Sequence, residues 1–298
     1  MCVNILDFLK MYNYPLESYE VLTPAFELLQ NNDEFIGVAG RFYADLTINP
    51  ETLLKMFENI GKENSINAHT VQLLFFIYLS YELEQQYIKG GLEHSVFIDT
   101  VEDLKFKTME YHQIKGVWGT DECRWFYNLF KMRTFAFGRL QYTLGNFFFD
   151  EKAVAKRIVK QGDTVVCIHI PSSGKPFDRE ARMLSYCKAY EFYKRILGEE
   201  PVFYCDSWLL YPPNREILGA NSNVVSFMDD FKIIDSYEYR DNHILWRIFG
   251  KDFDLPAEQL PRNTSMQRKM ADWILNGNKL GAGIGCFLYD EVNKKTLK

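Results

Sequence analysis

TVVCIHIPSSGKPFD, residues 164–178, is the stretch on which the fold turns. Its first part, Thr164–Ile170, is almost unbroken in β-branched and apolar residues, the mark of a strand covered on both faces. The loop Pro171–Pro176 follows. A helix is then expected from about Asp178 to Leu197, its stripe made of Met183, Tyr186, Cys187, Tyr190, Tyr193 and Leu197. Val202–Trp208 reads as the next strand. A strand–helix–strand step makes those two strands parallel and their crossover right-handed.

Downstream, Phe231–Tyr239 and His243–Phe249 alternate about Arg240-Asp241-Asn242 and read as a hairpin. A helix over about Ser265–Leu275 and a strand over Ile284–Tyr289 follow. Upstream, Thr134–Leu144 reads as a single strand. Phe135, Phe137, Arg139 and Gln141 would share one face, and Ala136, Gly138, Leu140 and Tyr142 the other. With a parallel step and an antiparallel hairpin, the sheet is mixed.

Before Lys131 the pattern is helical. Asn49-Pro50 is a cap followed by proline at the first helical position, with Leu53, Phe57 and Ile60 at helical spacing. His69–Leu83 is apolar all round and predicts a buried central helix. Thr100-x-x-Asp103 is expected to open another helix by a capping box, and Thr120 to cap a short one carrying Trp125, Phe126, Leu129 and Phe130. The expected architecture is α+β: a helical domain over residues 1–131, then a mixed α/β sheet domain over 132–298. No internal repeat is visible.

The 298 residues are enough for two domains, and 47% hydrophobic with 25% charged residues is ordinary globular usage. A net charge of −6 argues against a general nucleic-acid binder. Aromatic residues reach 16%, which predicts a large aromatic core, with an aromatic-lined groove as the alternative. The six cysteines form no C-x-x-C pair and no zinc spacing, so free thiols, no metal and a reducing compartment are expected. The start MCVNILDFLK lacks a signal-peptide pattern, and the longest apolar run, Val71–Leu79, is too short to span a bilayer. The expectation is a cytoplasmic protein without a membrane partner.

Ligands of open α/β sheets gather at the carboxyl ends of strands, which directs attention to His169 and the loop after it. Ser172, Ser173, Gly174 and Lys175 offer hydroxyl, backbone and ammonium donors before a helix N-terminus, a pyrophosphate cradle or else a plain turn. The segment is not a Walker loop, since Pro176 follows Gly174-Lys175. His169 reads either as a general acid–base or as a hydrogen-bonded core residue. Arg139 needs a partner if buried, either a carboxylate or a ligand phosphate. Gly281-Ala282-Gly283-Ile284-Gly285 precedes a strand, with no helix after it to bind phosphate. Ser207 lacks a nucleophile signature, and Tyr204 and Tyr211 are equivalent candidates for a phenolic acid.

Gly138-Arg139-Leu140-Gln141-Tyr142 resembles the GRLQ[FY]-type strand of a bacterial acyltransferase-like family. The resemblance continues through His169-Ile170-Pro171-Ser172, Ser207-Trp208-Leu209-Leu210, Thr264-x-x-Gln267-Arg268 and Gly281-x-Gly283. It covers most of the chain by order and spacing. Members pair a helical N-terminal domain with a GNAT-like C-terminal domain. The resemblance implies transfer of an acyl group, acetyl by expectation, from acyl-CoA to an amine on a small molecule or peptide. It implies His169 as base, Tyr211 or Ser207 as acid, residues 172–175 against the cofactor, and Arg139, Gln141 and Trp208 against the acceptor. The usual GNAT loop reads Q/R-x-x-G-x-G/A, whereas Pro171–Pro176 has one glycine and two prolines. The alternative is a GNAT-like module that binds a ligand or a protein without catalysis.

Overall fold

In the computed structural model, which describes residues 4–241 and 243–298, the chain forms two units. One runs through Ala136 and includes Pro171–Ser173; the other comprises Phe137–Ile170 and Gly174–Lys298.

The first unit is built from α1 (Ile5–Met11), α2 (Leu16–Leu29), α3 (Asp33–Arg41), α4 (Pro50–Asn64), α5 (Ala68–Lys89), α6 (His94–Val101), α7 (Asp103–Lys115) and α8 (Cys123–Phe130). Helix α4 starts as its sequence dictates. The Asn49 side chain accepts from Thr52 N, the Thr52 side chain reciprocates, and Pro50 opens the first turn. Helix α5 is the core, buried from Val71 through Ile77 without a break. Phe75 meets Phe35, Phe42 and Phe57, and Phe76 meets Phe126 and Phe130, at ring separations of 5.1–6.1 Å. In this unit the aromatic excess is therefore core packing.

Two expected caps are absent. Thr100 lies inside α6, where its hydroxyl donates to Val96 O and accepts from Ala136 N, while Asp103 is buried and accepts from Trp125 Nε1. Helices α6 and α7 meet at Glu102, whose own backbone is helical, so no extended cap residue separates them. Thr120 accepts from Glu122 N and lies two residues before the cap position, which Glu122 itself occupies.

The sheet belongs to the second unit apart from residues 134–136 of its first strand. Its strands are β1 (Thr134–Phe137), β2 (Leu140–Asn146), β3 (Lys152–Val154), β4 (Arg157–Val159), β5 (Thr164–His169), β6 (Val202–Ser207), β7 (Lys232–Glu238), β8 (Gly281–Asp290) and β9 (Lys295–Leu297). The main sheet has the order β1-β2-β5-β6-β8-β7, with β9 on β8; β3 and β4 form a separate hairpin. Strands β5 and β6 are parallel, joined through α9 (Arg179–Leu197). Shorter helices α10 (Asn214–Leu218), α11 (Asn223–Met228) and α12 (Trp246–Phe249) precede α13 (Ser265–Leu275).

Helix α9 covers one sheet face. Tyr142 Oη meets Ser185 Oγ at 2.8 Å, Tyr193 Oη donates to Tyr142 O, and the Tyr186 ring sits 4.8 Å from Phe287. Arg182, fully buried on α9, donates to Asp230 (2.7 Å), Ser226 Oγ (2.9 Å) and Phe177 O (2.9 Å). Burial raises the Asp230 pKa, and the Arg182 hydrogen bond pulls against it. On the opposite face the β3–β4 hairpin seals Val154 and Val159 against Val165, Val202, Cys286 and Leu288.

Three expectations are corrected here. Thr134–Leu144 is two strands, because Gly138, at φ +68°, turns the chain with Arg139 between β1 and β2. Arg139 consequently shares no strand face with Gln141. Residues 243–249 are helical, not the second arm of a hairpin: Ile244, Ile248 and Leu245, Phe249 bury as i,i+4 pairs. Asn242, in the expected turn, lies outside the described residues. The Gly281–Gly285 segment lies within β8, because the neighbouring turn passes too close for side chains. A Cβ on Gly283 would lie 2.0 Å from the Leu210 carbonyl oxygen. Gly283→Ala is expected to destabilise the protein by about 1–3 kcal/mol, read as a lower urea midpoint, and an unchanged midpoint would show that the turn yields freely.

Cys123, Cys167, Cys187, Cys205 and Cys286 are free thiols; Cys2 lies outside the described residues. No helix among the described residues is long and apolar enough to cross a membrane. No cluster of three or more potential metal ligands occurs among them.

Candidate active site

Strands β5 and β6 pair only at Val166↔Phe203 and Cys167↔Tyr204. Beyond that point each is held by its outer neighbour, β5 by β2 as far as Gln141↔His169 and β6 by β8 as far as Ser207↔Gly283. Two parallel strands thus part at their carboxyl ends, where an open α/β sheet takes its ligand.

The ladder fixes which side chains face the parting. Gln141 is directly opposite His169, and Thr143 opposite Cys167, so these four share the face away from α9. Thr143 Oγ1 lies 2.9 Å from His169 Nε2 and orients the imidazole. His169 is half-buried and Gln141 buried. Cys167 is a poor nucleophile, since burial pushes its thiol up to about 11.

Across the parting, Asp206 stands two residues beyond Tyr204, on the same face as His169. It is solvent-accessible and accepts from Tyr237 Oη at 3.0 and 3.3 Å through its two oxygens. Partial desolvation raises its pKa, and the Tyr237 hydroxyl acts in the opposite direction. Sequence reasoning passed over both residues. Asp206 occurs in a strand-end tripeptide without a motif, and Tyr237 follows 31 positions later.

Ser207 and Tyr211 sit differently. Ser207 pairs with Gly283 and so faces the α9 side; its hydroxyl accepts from Leu209 N, capping a 3-10 turn over Trp208–Leu210. Tyr211 is buried, its ring against Gly281, whose added Cβ would meet the ring at 2.6 Å. Burial raises its hydroxyl pKa. Trp208 is half-buried, and its carbonyl accepts from the Asn214 side chain. His169 and the Ser207–Tyr211 segment therefore approach the parting from opposite faces of the sheet.

In the loop, Gly174 adopts φ +67°, and Gly174 and Lys175 are exposed. Ser173 is half-buried. Ser172 donates to Glu110, within the first unit. Asp178 caps α9 by accepting from Ala181 N, so a carboxylate already stands at that helix N-terminus. The Arg139 guanidinium lies 4.9 Å from the Phe177 ring centroid, and burial brings its pKa down to about 10. The turn after β1 thus places Arg139 against the loop, among the groups that could hold a phosphate.

A twisted mixed sheet whose parallel strands part beside a crossover helix is the architecture of the GNAT-like class. Residues 5–132 match the N-acyltransferase N-terminal domain and residues 134–287 the GNAT-like C-terminal domain; the chain belongs to the family defined by that GNAT-like C-terminal domain. The fold is similar to that of an acyltransferase crystallised with decanoyl-CoA and teicoplanin, at TM-score 0.71 and 20% identity over 95% of this chain and 86% of the other. An acyltransferase in complex with decanoyl-CoA alone aligns at TM-score 0.69 and 19% identity over 94% of this chain and 86% of the other. An acyltransferase mutant in complex with octanoyl-CoA aligns at TM-score 0.71 and 18% identity over 94% and 86%. No curated protein matches the sequence.

Proposed function

We propose that this protein transfers an acyl group from acyl-CoA to an amine. The observation that carries the reading is the parting of β5 and β6, with His169 on one strand end and Asp206 on the other. The thioester carbonyl would lie in the parting. A neutral amine attacks that carbon, forming the C–N bond; the tetrahedral intermediate collapses, the C–S bond breaks, and CoA leaves as a thiolate that takes a proton. His169, oriented by Thr143, takes the proton that the amine loses. Backbone N–H groups at the strand ends stabilise the oxyanion. Tyr211 or Ser207, approaching from the other face, returns a proton to the thiolate. Residues 172–175, joined by Arg139, hold the phosphates, and Gln141 and Trp208 contact the acceptor. The structural neighbours were crystallised with octanoyl- and decanoyl-CoA, so medium acyl chains are tested beside acetyl-CoA. Free thiols support a reducing, cytoplasmic setting.

Two observations favour a second reading, a module that kept the fold without the chemistry. Asp178 occupies the α9 N-terminus, and the Ser172 hydroxyl is engaged by Glu110. Calorimetry with acetyl-CoA and decanoyl-CoA decides between the two. Lys175→Ala is expected to weaken the bound acyl-CoA about tenfold or more, the loss of one charged hydrogen bond. Failure of the wild-type protein to bind either thioester leaves the second reading standing.

A further inference from the structure

The Asp206–Tyr237 pair does more than a sheet contact requires. Strands β6 and β7 are not neighbours; β8 lies between them. Asp206 sits beside Ile284 and Tyr237 beside Ala282, so the Tyr237 side chain crosses a fully buried alanine to reach the carboxylate. A bulge in β7 between Ile233 and Asp235 sets the register that makes this reach possible. The result is a carboxylate held at the parting, open to solvent, whose hydrogen-bond partner is a neutral phenol. Among the described residues no cation pairs with Asp206. Tyr237 is itself 43% exposed, and its ring packs edge-to-face with Tyr239 at 5.7 Å. A fixed carboxylate flanked by tyrosine rings is a receptor for an ammonium group, by charge and by cation–π attraction.

We infer that Asp206, oriented by Tyr237, anchors the acceptor through its positive charge, so that acceptors are recognised as cationic primary amines before a proton is removed. This rests on the acyl-transfer reading above and divides its labour. Asp206 binds the ammonium form, and His169 across the parting takes the proton. Asp206 is then a specificity-determining residue, and Tyr237 a positioning residue that acts through it.

The test uses the whole protein with decanoyl-CoA, a panel of primary amines including 2-phenylethylamine, and trimethyl(2-phenylethyl)ammonium, which keeps the charge but cannot be acylated. In the wild-type protein the quaternary ion should compete with the amine. Asp206→Asn should raise both the amine KM and the Ki of the quaternary ion about tenfold or more. Asp206→Glu should keep that Ki within a few fold, and Tyr237→Phe should raise it by less than Asp206→Asn does. Affinity for decanoyl-CoA, measured by calorimetry, checks that each variant is folded. A kcat loss in Asp206→Asn with unchanged Ki would make Asp206 a proton acceptor and overturn the anchor. Unchanged KM and Ki would overturn it equally. If the wild-type protein binds decanoyl-CoA but acylates no amine, the acyl-transfer reading itself fails and the anchor falls with it.

Discussion

Arg182→Ala should cost about 3–5 kcal/mol of folding stability, measured as a loss of unfolding free energy in urea. Arg182 has no exposed surface and Asp230 is 5% exposed, so removing the guanidinium leaves a buried carboxylate with the Tyr186 hydroxyl as a hydrogen-bond donor and the charge of Arg179 acting on it without a hydrogen bond. The loss also has a pH signature. Burial already raises the Asp230 pKa in the folded state, and without Arg182 that rise must increase. An aspartate whose folded pKa exceeds its unfolded value binds its proton more tightly when folded. Stability then falls as pH rises through the window between the two values. The deficit of Arg182→Ala should therefore shrink as pH is lowered towards that window. Replacing Arg182 and Asp230 together by apolar residues of similar volume should recover much of it. A deficit below about 1 kcal/mol would mean that water reaches Asp230 in the variant.

His169→Ala should lower acyl transfer about a hundredfold or more, equivalent to about 2.7 kcal/mol at the transition state. The measurement is thiol release from decanoyl-CoA in the presence of an amine. The effect should fall on kcat rather than on the affinity for the thioester, because the role proposed for His169 is to take the amine's proton. Thr143→Val supplies a finer check. It removes the contact to Nε2 while the imidazole stays, so its loss should be smaller than that of His169→Ala and in the same parameter. A His169→Ala variant with undiminished turnover would shift the proton transfer to a water relay.

How legible the fold was depended on how local the determining interaction was. The Asn49-Pro50 cap, the Asp178 start of α9, the Thr264 cap of α13 and the β-branched core of β5 are each decided within a few residues, and the sequence displays them. Thr134–Leu144 misled because the strands on both sides of the turn share one alternating pattern. The Gly138-Arg139 pair was the available signal, since a two-residue hairpin loop favours glycine where φ is positive. In Ile244–Phe249, apolar pairs four apart mimic alternation over so short a run. The three-residue strands β3 and β4 are too brief to leave a periodic trace.

The candidate site divides in the same way. His169 stands out in the sequence because it ends the β-branched run of β5 and leads into a conspicuous loop. A single strand over Thr134–Leu144 puts Arg139 on one face with Gln141, whereas the turn at Gly138 takes Arg139 out of the strand and against Phe177. Asp206 and Tyr237 were invisible for a topological reason. Their meeting needs β8 to lie between β6 and β7, and no local feature of either residue encodes that order.

That insertion has a consequence for how the chain is made. Strand β8 separates two strands that are both synthesised before it, so a nascent chain carries β6 and β7 to completion while their shared neighbour is still missing. Until residues 281–290 emerge, β6 presents an open edge, and Tyr237 has no bridge to Asp206. Pairings this distant in sequence delay folding and expose apolar strand edges to other chains. The glycines of β8 suit the last step, since a side chain at position 283 would collide with the Leu210 turn and one at 281 with the Tyr211 ring. Strand β8 acts as a late-arriving keystone, and expression conditions that slow its docking, rather than substitutions in the site, would govern how much of the protein stays out of aggregates.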